Sequence, residues 1–100
     1  MNLLIISNAD SCRSRIAQAL LSSFGKGMKV YSAGKMPAAE IHPLVLKLIK
    51  ETGIEPNTQP PHSIREYTNE NWDHIIVLSG TADDIRNLFR KEVKHWYHLP

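Results

Sequence analysis

Two short aliphatic runs, Leu3-Leu4-Ile5-Ile6 and Ile75-Ile76-Val77-Leu78, show no alternation of apolar and polar residues. A strand with one wet face alternates. A strand that is apolar at every position has both faces covered, which is the condition of a parallel sheet held between helices. The chain between the runs supplies such helices. Ile16, Ala17, Leu20, Leu21 and Phe24 recur at helical spacing and predict a first helix from Ser14 to Phe24, with Gly25 placed to stop it. A second amphipathic segment opens at Pro43 and closes at Gly53, with Leu44, Val45, Leu48 and Ile49 on one side and Lys47, Lys50 and Glu51 on the other. A third, shorter helix is expected after Thr81, whose hydroxyl would cap it with Asp84 three residues on, burying Ile85, Leu88 and Phe89. Met28 to Ser32 and Val93 to Tyr97 read as further strands. The alternation of strand and helix predicts an α/β fold of three layers, a four-stranded parallel sheet with helices on both faces.

With 100 residues, 42% of them hydrophobic, the chain has enough core for a single domain over residues 1–100. Glu55 to Ser63 holds three of the six prolines and is expected to be a surface loop. Cys12 is the single cysteine, which excludes an intrachain disulfide and a multi-cysteine zinc site and points to a reducing compartment. No apolar run is long enough to span a bilayer and no basic leader precedes Leu3, so a cytoplasmic protein without membrane contact is expected. The formal charge of +2 is spread over interspersed acids and bases, with no aromatic-interleaved basic stripe, so nucleic acid is not an expected partner. Among His42, His62, His74, His95 and His98, only His95 and His98 are close in sequence, and strand periodicity puts them on opposite faces; neither a metal nor a cofactor is expected. Trp72 and Trp96 suit core packing, and Tyr67 and Tyr97 are the aromatic candidates for a ligand-site mouth.

Ligand sites in open parallel sheets lie beyond the carboxyl ends of the strands. There the first strand empties into Ser7-Asn8-Ala9-Asp10-Ser11-Cys12-Arg13-Ser14. A short polar loop opening a helix presents backbone N–H groups and the positive end of the helix dipole to an oxyanion, and Arg13 adds a planar cationic fork. The other reading of the same residues is an ordinary strand-to-helix turn capped by Ser11 or Ser14, with Arg13 solvated.

Ser7 to Ser14 followed by Ile16-Ala17-Gln18-Ala19 resembles the phosphate-binding loop and first helix of the low-molecular-weight protein tyrosine phosphatases and thioredoxin-coupled arsenate reductases. Ser32-Ala33-Gly34, His42-Pro43, Gly53-Ile54-Glu55 and His95-Trp96 stand in that family's order. The resemblance implies an anion site built from Ser7, Asn8, Ala9, Asp10, Ser11, Cys12, Arg13 and Ser14. It also implies a nucleophilic cysteine at the place of Ser7, an asparagine brace at Asp10, relay cysteines of which the first would stand at Ser79, and an acid near Leu99-Pro100. Each departs here. A serine hydroxyl stays protonated without a base, and no histidine lies in this stretch. Asp10 is expected either to oppose a bound anion, so that Asp10→Asn would strengthen binding, or to brace the loop differently. Cys12, beside Arg13 and near a helix end, is read as a buried, inert thiol.

These residues predict a catalytically silent relative that binds phosphate or another oxyanion. The alternatives are a working phosphotyrosine or phosphomonoester phosphatase or arsenate reductase, through an engineered Cys-to-Ser change at Ser7 or a segment past Pro100, and a protein acting through its surface alone. The resemblance also implies a final helix beside the first, which the sequence to Pro100 lacks. A homodimer or other protein partner is therefore expected on the face beside the first helix and the strand of Val93, His95 and Tyr97.

Overall fold

The computed structural model describes residues 1–10, 12–24, 27–78 and 83–99. Strand β1 (Asn2–Ser7) is buried from Leu3 onward because it has a parallel neighbour on each side, β2 (Lys29–Gly34) and β3 (Trp72–Val77). Strand β4 (Val93–His98) pairs parallel with β3, giving the order β2-β1-β3-β4. The sheet is the one expected from the aliphatic runs. β1 extends past its run at both ends and β3 begins before its run but stops at Val77, the β1 ladder continuing through polar residues such as Ser7, opposite Gly34.

On one side of the sheet Leu4, Ile6, Ala33, Ile75 and Val77 form the main core. They are closed over by Ile64, from a 3-10 turn at Ile64–Glu66, and by Ile85 from the four-residue helix α3 (Asp83–Arg86). Trp72 is only 2% exposed within this layer and Trp96 packs against it, as expected of core tryptophans. On the other side lies helix α1 (Arg13–Phe24). Its Gln18 bridges to β2, donating to the Val30 carbonyl at 3.0 Å and accepting from Ser32 Oγ at 3.0 Å. Helix α2 (Pro43–Glu51) starts at its proline, with His42 Nδ1 accepting from the Leu44 N–H, and lays Val45 and Ile49 with Ile41 against Ile16 and Ala19 of α1.

The helical apolar stripes are narrower than the spacing predicts. Leu20 and Phe24 of α1 and Leu44 and Leu48 of α2 are exposed, because α1 and α2 touch along one seam and, among the described residues, neither has a partner on its outer flank; Leu88 beyond α3 is exposed as well. The expected stop at Gly25 and the expected cap at Thr81 lie outside the described residues. No helix among those described is long and apolar enough to cross a membrane.

Candidate anion-binding loop

The loop after β1 is fixed from below by the chain that follows β2. The carbonyl oxygens of Ser7, Asn8 and Ala9 accept from the N–H groups of Lys35, Met36 and Ala38 at 3.1, 2.8 and 2.9 Å. In a trans peptide the carbonyl of one residue and the N–H of the next point in opposite directions. Tying down these three carbonyls therefore turns the N–H groups of Asn8 and Ala9 to the opposite side, while that of Asp10 donates to Ser7 Oγ at 3.1 Å. Gly34 makes the approach possible: a Cβ there would lie 2.8 Å from the Asn8 oxygen and 2.9 Å from the Asp10 nitrogen. Of the landmarks Ser32-Ala33-Gly34, the glycine is the one on which the loop rests.

A cavity of ≈ 110 Å³ opens above, lined by Ser7, Asn8, Ala9, Asp10, Cys12 and Arg13. It sits at the start of α1, where the helix dipole is positive. Arg13 is exposed on its rim. Cys12 is exposed as well, contrary to the buried thiol expected, because it stands at the helix start facing solvent rather than the sheet. Ser14 is fully buried beneath the loop, and Ser11 lies outside the described residues.

Asp10 occupies a left-handed conformation, φ 51°, which aspartate tolerates better than most residues. Its carboxylate is wholly buried and both oxygens are engaged. Oδ1 accepts from Ser14 Oγ at 2.7 Å; Oδ2 accepts from the His62 N–H at 2.9 Å and lies 3.6 Å from the guanidinium of Arg15. Arg15 is itself 3% exposed and donates to the carbonyls of Asp10, Gln59 and Pro60 at 3.2, 2.8 and 2.7 Å. Of the two roles open to Asp10 in the sequence, the brace is the one observed. Its charge is paired with Arg15 at 3.6 Å, which offsets the repulsion it would exert on an anion in the cavity it lines.

Sequence reasoning missed Arg15 and the backbone of Gln59, Pro60 and His62, which hold the loop from the side. A lone arginine in the first turn of a helix carries no pattern that separates it from a solvated one. Tyr67 and Tyr97 are not at the mouth of the cavity: Tyr67 packs on Tyr31 and Trp72, and Tyr97 lies near His74 and His95. The histidines form no metal-binding group among the described residues. Ser79 and Pro100, singled out for the relay and the acid, fall outside them.

A family profile described as low molecular weight phosphotyrosine protein phosphatase matches residues 2–99. The chain belongs to that family. An arsenate reductase of Bacillus subtilis is 33% identical over 94 residues, which cover 91% of this chain and 67% of the relative. The solved thioredoxin-dependent arsenate reductase of Corynebacterium glutamicum superposes with a TM-score of 0.69 at 29% identity, over 97% of this chain and 47% of that one. A low molecular weight protein tyrosine phosphatase from Streptococcus pyogenes shares the fold with a TM-score of 0.71 at 17% identity, over 96% and 70%. The chain spans 59% to 67% of the length of the curated relatives it matches.

Proposed function

We propose that this family member binds phosphate or a like oxyanion in the Ser7–Ser14 loop and does not turn over phosphate esters or arsenate. The observation that carries the reading is the set of carbonyl anchors to Lys35, Met36 and Ala38, because it holds N–H donors toward the cavity before any ligand arrives. Preorganised donors of this kind bind an anion without the cost of ordering the loop. Arg13 on the rim supplies the charge. Silence toward substrates follows from Ser7: a hydroxyl at the place of the family's cysteine is a far weaker nucleophile than a thiolate, and the reductase relay needs cysteines where this sequence has Ser79.

Titration with inorganic phosphate, followed by the amide shifts of Asn8, Ala9 and Asp10, is expected to saturate in the wild type and to be lost in Arg13→Ala. Saturable shifts confined to distant residues, or none at all, would overturn the binding reading. Steady release of phosphate from aryl phosphates that disappears in Arg13→Ala would overturn the silent one.

A further inference from the structure

The hydroxyl of Ser7 can serve a bound anion in one sense only. Ser14 Oγ and Asp10 Oδ1 are 2.7 Å apart, and since a carboxylate only accepts, the single Ser14 proton is committed to that bond. The 2.9 Å contact between the two serine hydroxyls must then have Ser7 as donor. The Asp10 N–H donates to Ser7 Oγ at 3.1 Å and occupies one of its two lone pairs. What Ser7 has left for the cavity it lines is the other lone pair, which no donor meets among the described residues. An oxygen of a fully deprotonated anion placed against it would set acceptor against acceptor. An oxygen that carries a proton would donate to it.

We propose that Ser7 makes the loop selective for oxyanions that bring a proton, so that hydrogen phosphate or hydrogen arsenate is taken while sulfate and the dianions of phosphate monoesters are rejected. The inference rests on the loop binding an anion as proposed above and specifies which anion. The ligand hydroxyl donates to Ser7 Oγ, and the other oxygens accept from the Asn8 and Ala9 N–H groups and from Arg13. Hydrogen bonds then run in one direction, from the anion through Ser7 and Ser14 to Asp10, with each proton used once. Sulfate has the tetrahedral shape and the double charge of hydrogen phosphate but no proton. Arg13 and the helix end attract the two alike, and Ser7 tells them apart, because a buried acceptor left facing an acceptor costs more than one that is bonded. The same rule bars an ester, whose phosphate loses its last proton with a pKa of about 6. Free phosphate, rather than a phosphorylated side chain, is the ligand that fits.

The test is calorimetric titration of the whole chain with inorganic phosphate, sulfate and phenyl phosphate at about pH 8, where the ester is a dianion. Phosphate is expected to bind at least about tenfold more tightly than sulfate, the scale of one hydrogen bond to a charged group that only one ligand makes. Phenyl phosphate should bind as weakly as sulfate there and gain at least about tenfold on sulfate near pH 5, where it regains its proton. Ser7→Ala removes the acceptor, and Ser14→Ala frees the Ser7 proton to turn toward the cavity while Asp10 and Arg15 stay paired; in both, phosphate and sulfate should bind nearly alike. Wild-type protein that binds the two anions alike, or sulfate more tightly, overturns this inference and leaves the binding reading standing. A preference for phosphate that survives in full in both variants overturns the role of Ser7. A protein that binds neither anion fails at the binding reading, and this inference falls with it.

Discussion

Arg15 shows how a single side chain can hold a loop it does not belong to. Its guanidinium spans three carbonyls and the Asp10 carboxylate with almost no exposure to water. Removing it leaves a buried negative charge without a partner, which typically destabilises by 3–5 kcal/mol. Arg15→Met is accordingly expected to lose about 3–5 kcal/mol in urea unfolding, much more than Arg13→Ala on the exposed rim; equal small losses would mean that the pair is not what secures the loop. At this scale the sequence was only partly legible. Arg13 stands out in a polar loop that follows a strand and opens a helix, and Ser7 and Gly34 stand out through the family resemblance. The partnership of Asp10 with Arg15 and His62 is set by tertiary contact between segments distant in the chain, and no local pattern encodes it.

Among the elements, the strands were the more legible, because burial on both faces leaves an unbroken aliphatic run and nothing else in a small domain needs one. The helices were less so: periodicity gave their positions but overstated their buried faces, since it cannot tell whether Leu20, Leu44 or Leu48 meets a neighbour. The 3-10 turn had no signal beyond Ser63 and Glu66, whose capping box is visible once the turn is known. Just after that turn, Tyr67 lies against Tyr31, Trp72 and His62. Burial, and then the charges of Glu66 and Asp10, push its hydroxyl up to about 12 from the ordinary 10.0. The folded protein thus keeps this proton after the unfolded chain has released it. The resulting stability is complete below pH 10.0 and is lost as the pH rises toward about 12. Tyr67→Phe should flatten the alkaline decline in thermal midpoint over that window; an unchanged decline would assign it to other groups.

For the whole molecule, the sheet is covered unequally. Helix α1 shields β1 and β2, whereas on the same side β3 and β4 present His74, Ile76, His95 and Tyr97, with Tyr97 46% exposed. The expected homodimer would sit here, continuous with the outer edge of β4, which pairs with no further strand among the described residues and offers a row of backbone donors and acceptors to a second copy. Val93, grouped with His95 and Tyr97 in the sequence, instead packs against the core on the opposite side. Sedimentation is therefore expected to show a dimer that Tyr97→Asp dissociates without unfolding, while Val93→Asp unfolds the protein; a wild-type monomer would dispose of the dimer. The anchors of Ser7, Asn8 and Ala9 on Lys35, Met36 and Ala38 bear on folding itself. The cradle joins segments separated by the whole of α1 and β2, so it closes only after the entropy of that long connection has been met. A collapsed chain in which β2 has slipped by one residue against β1 would hold every residue of the site in sequence and have no concavity for an anion, so phosphate added during refolding would select the correctly registered sheet and leave its misregistered competitors unaided.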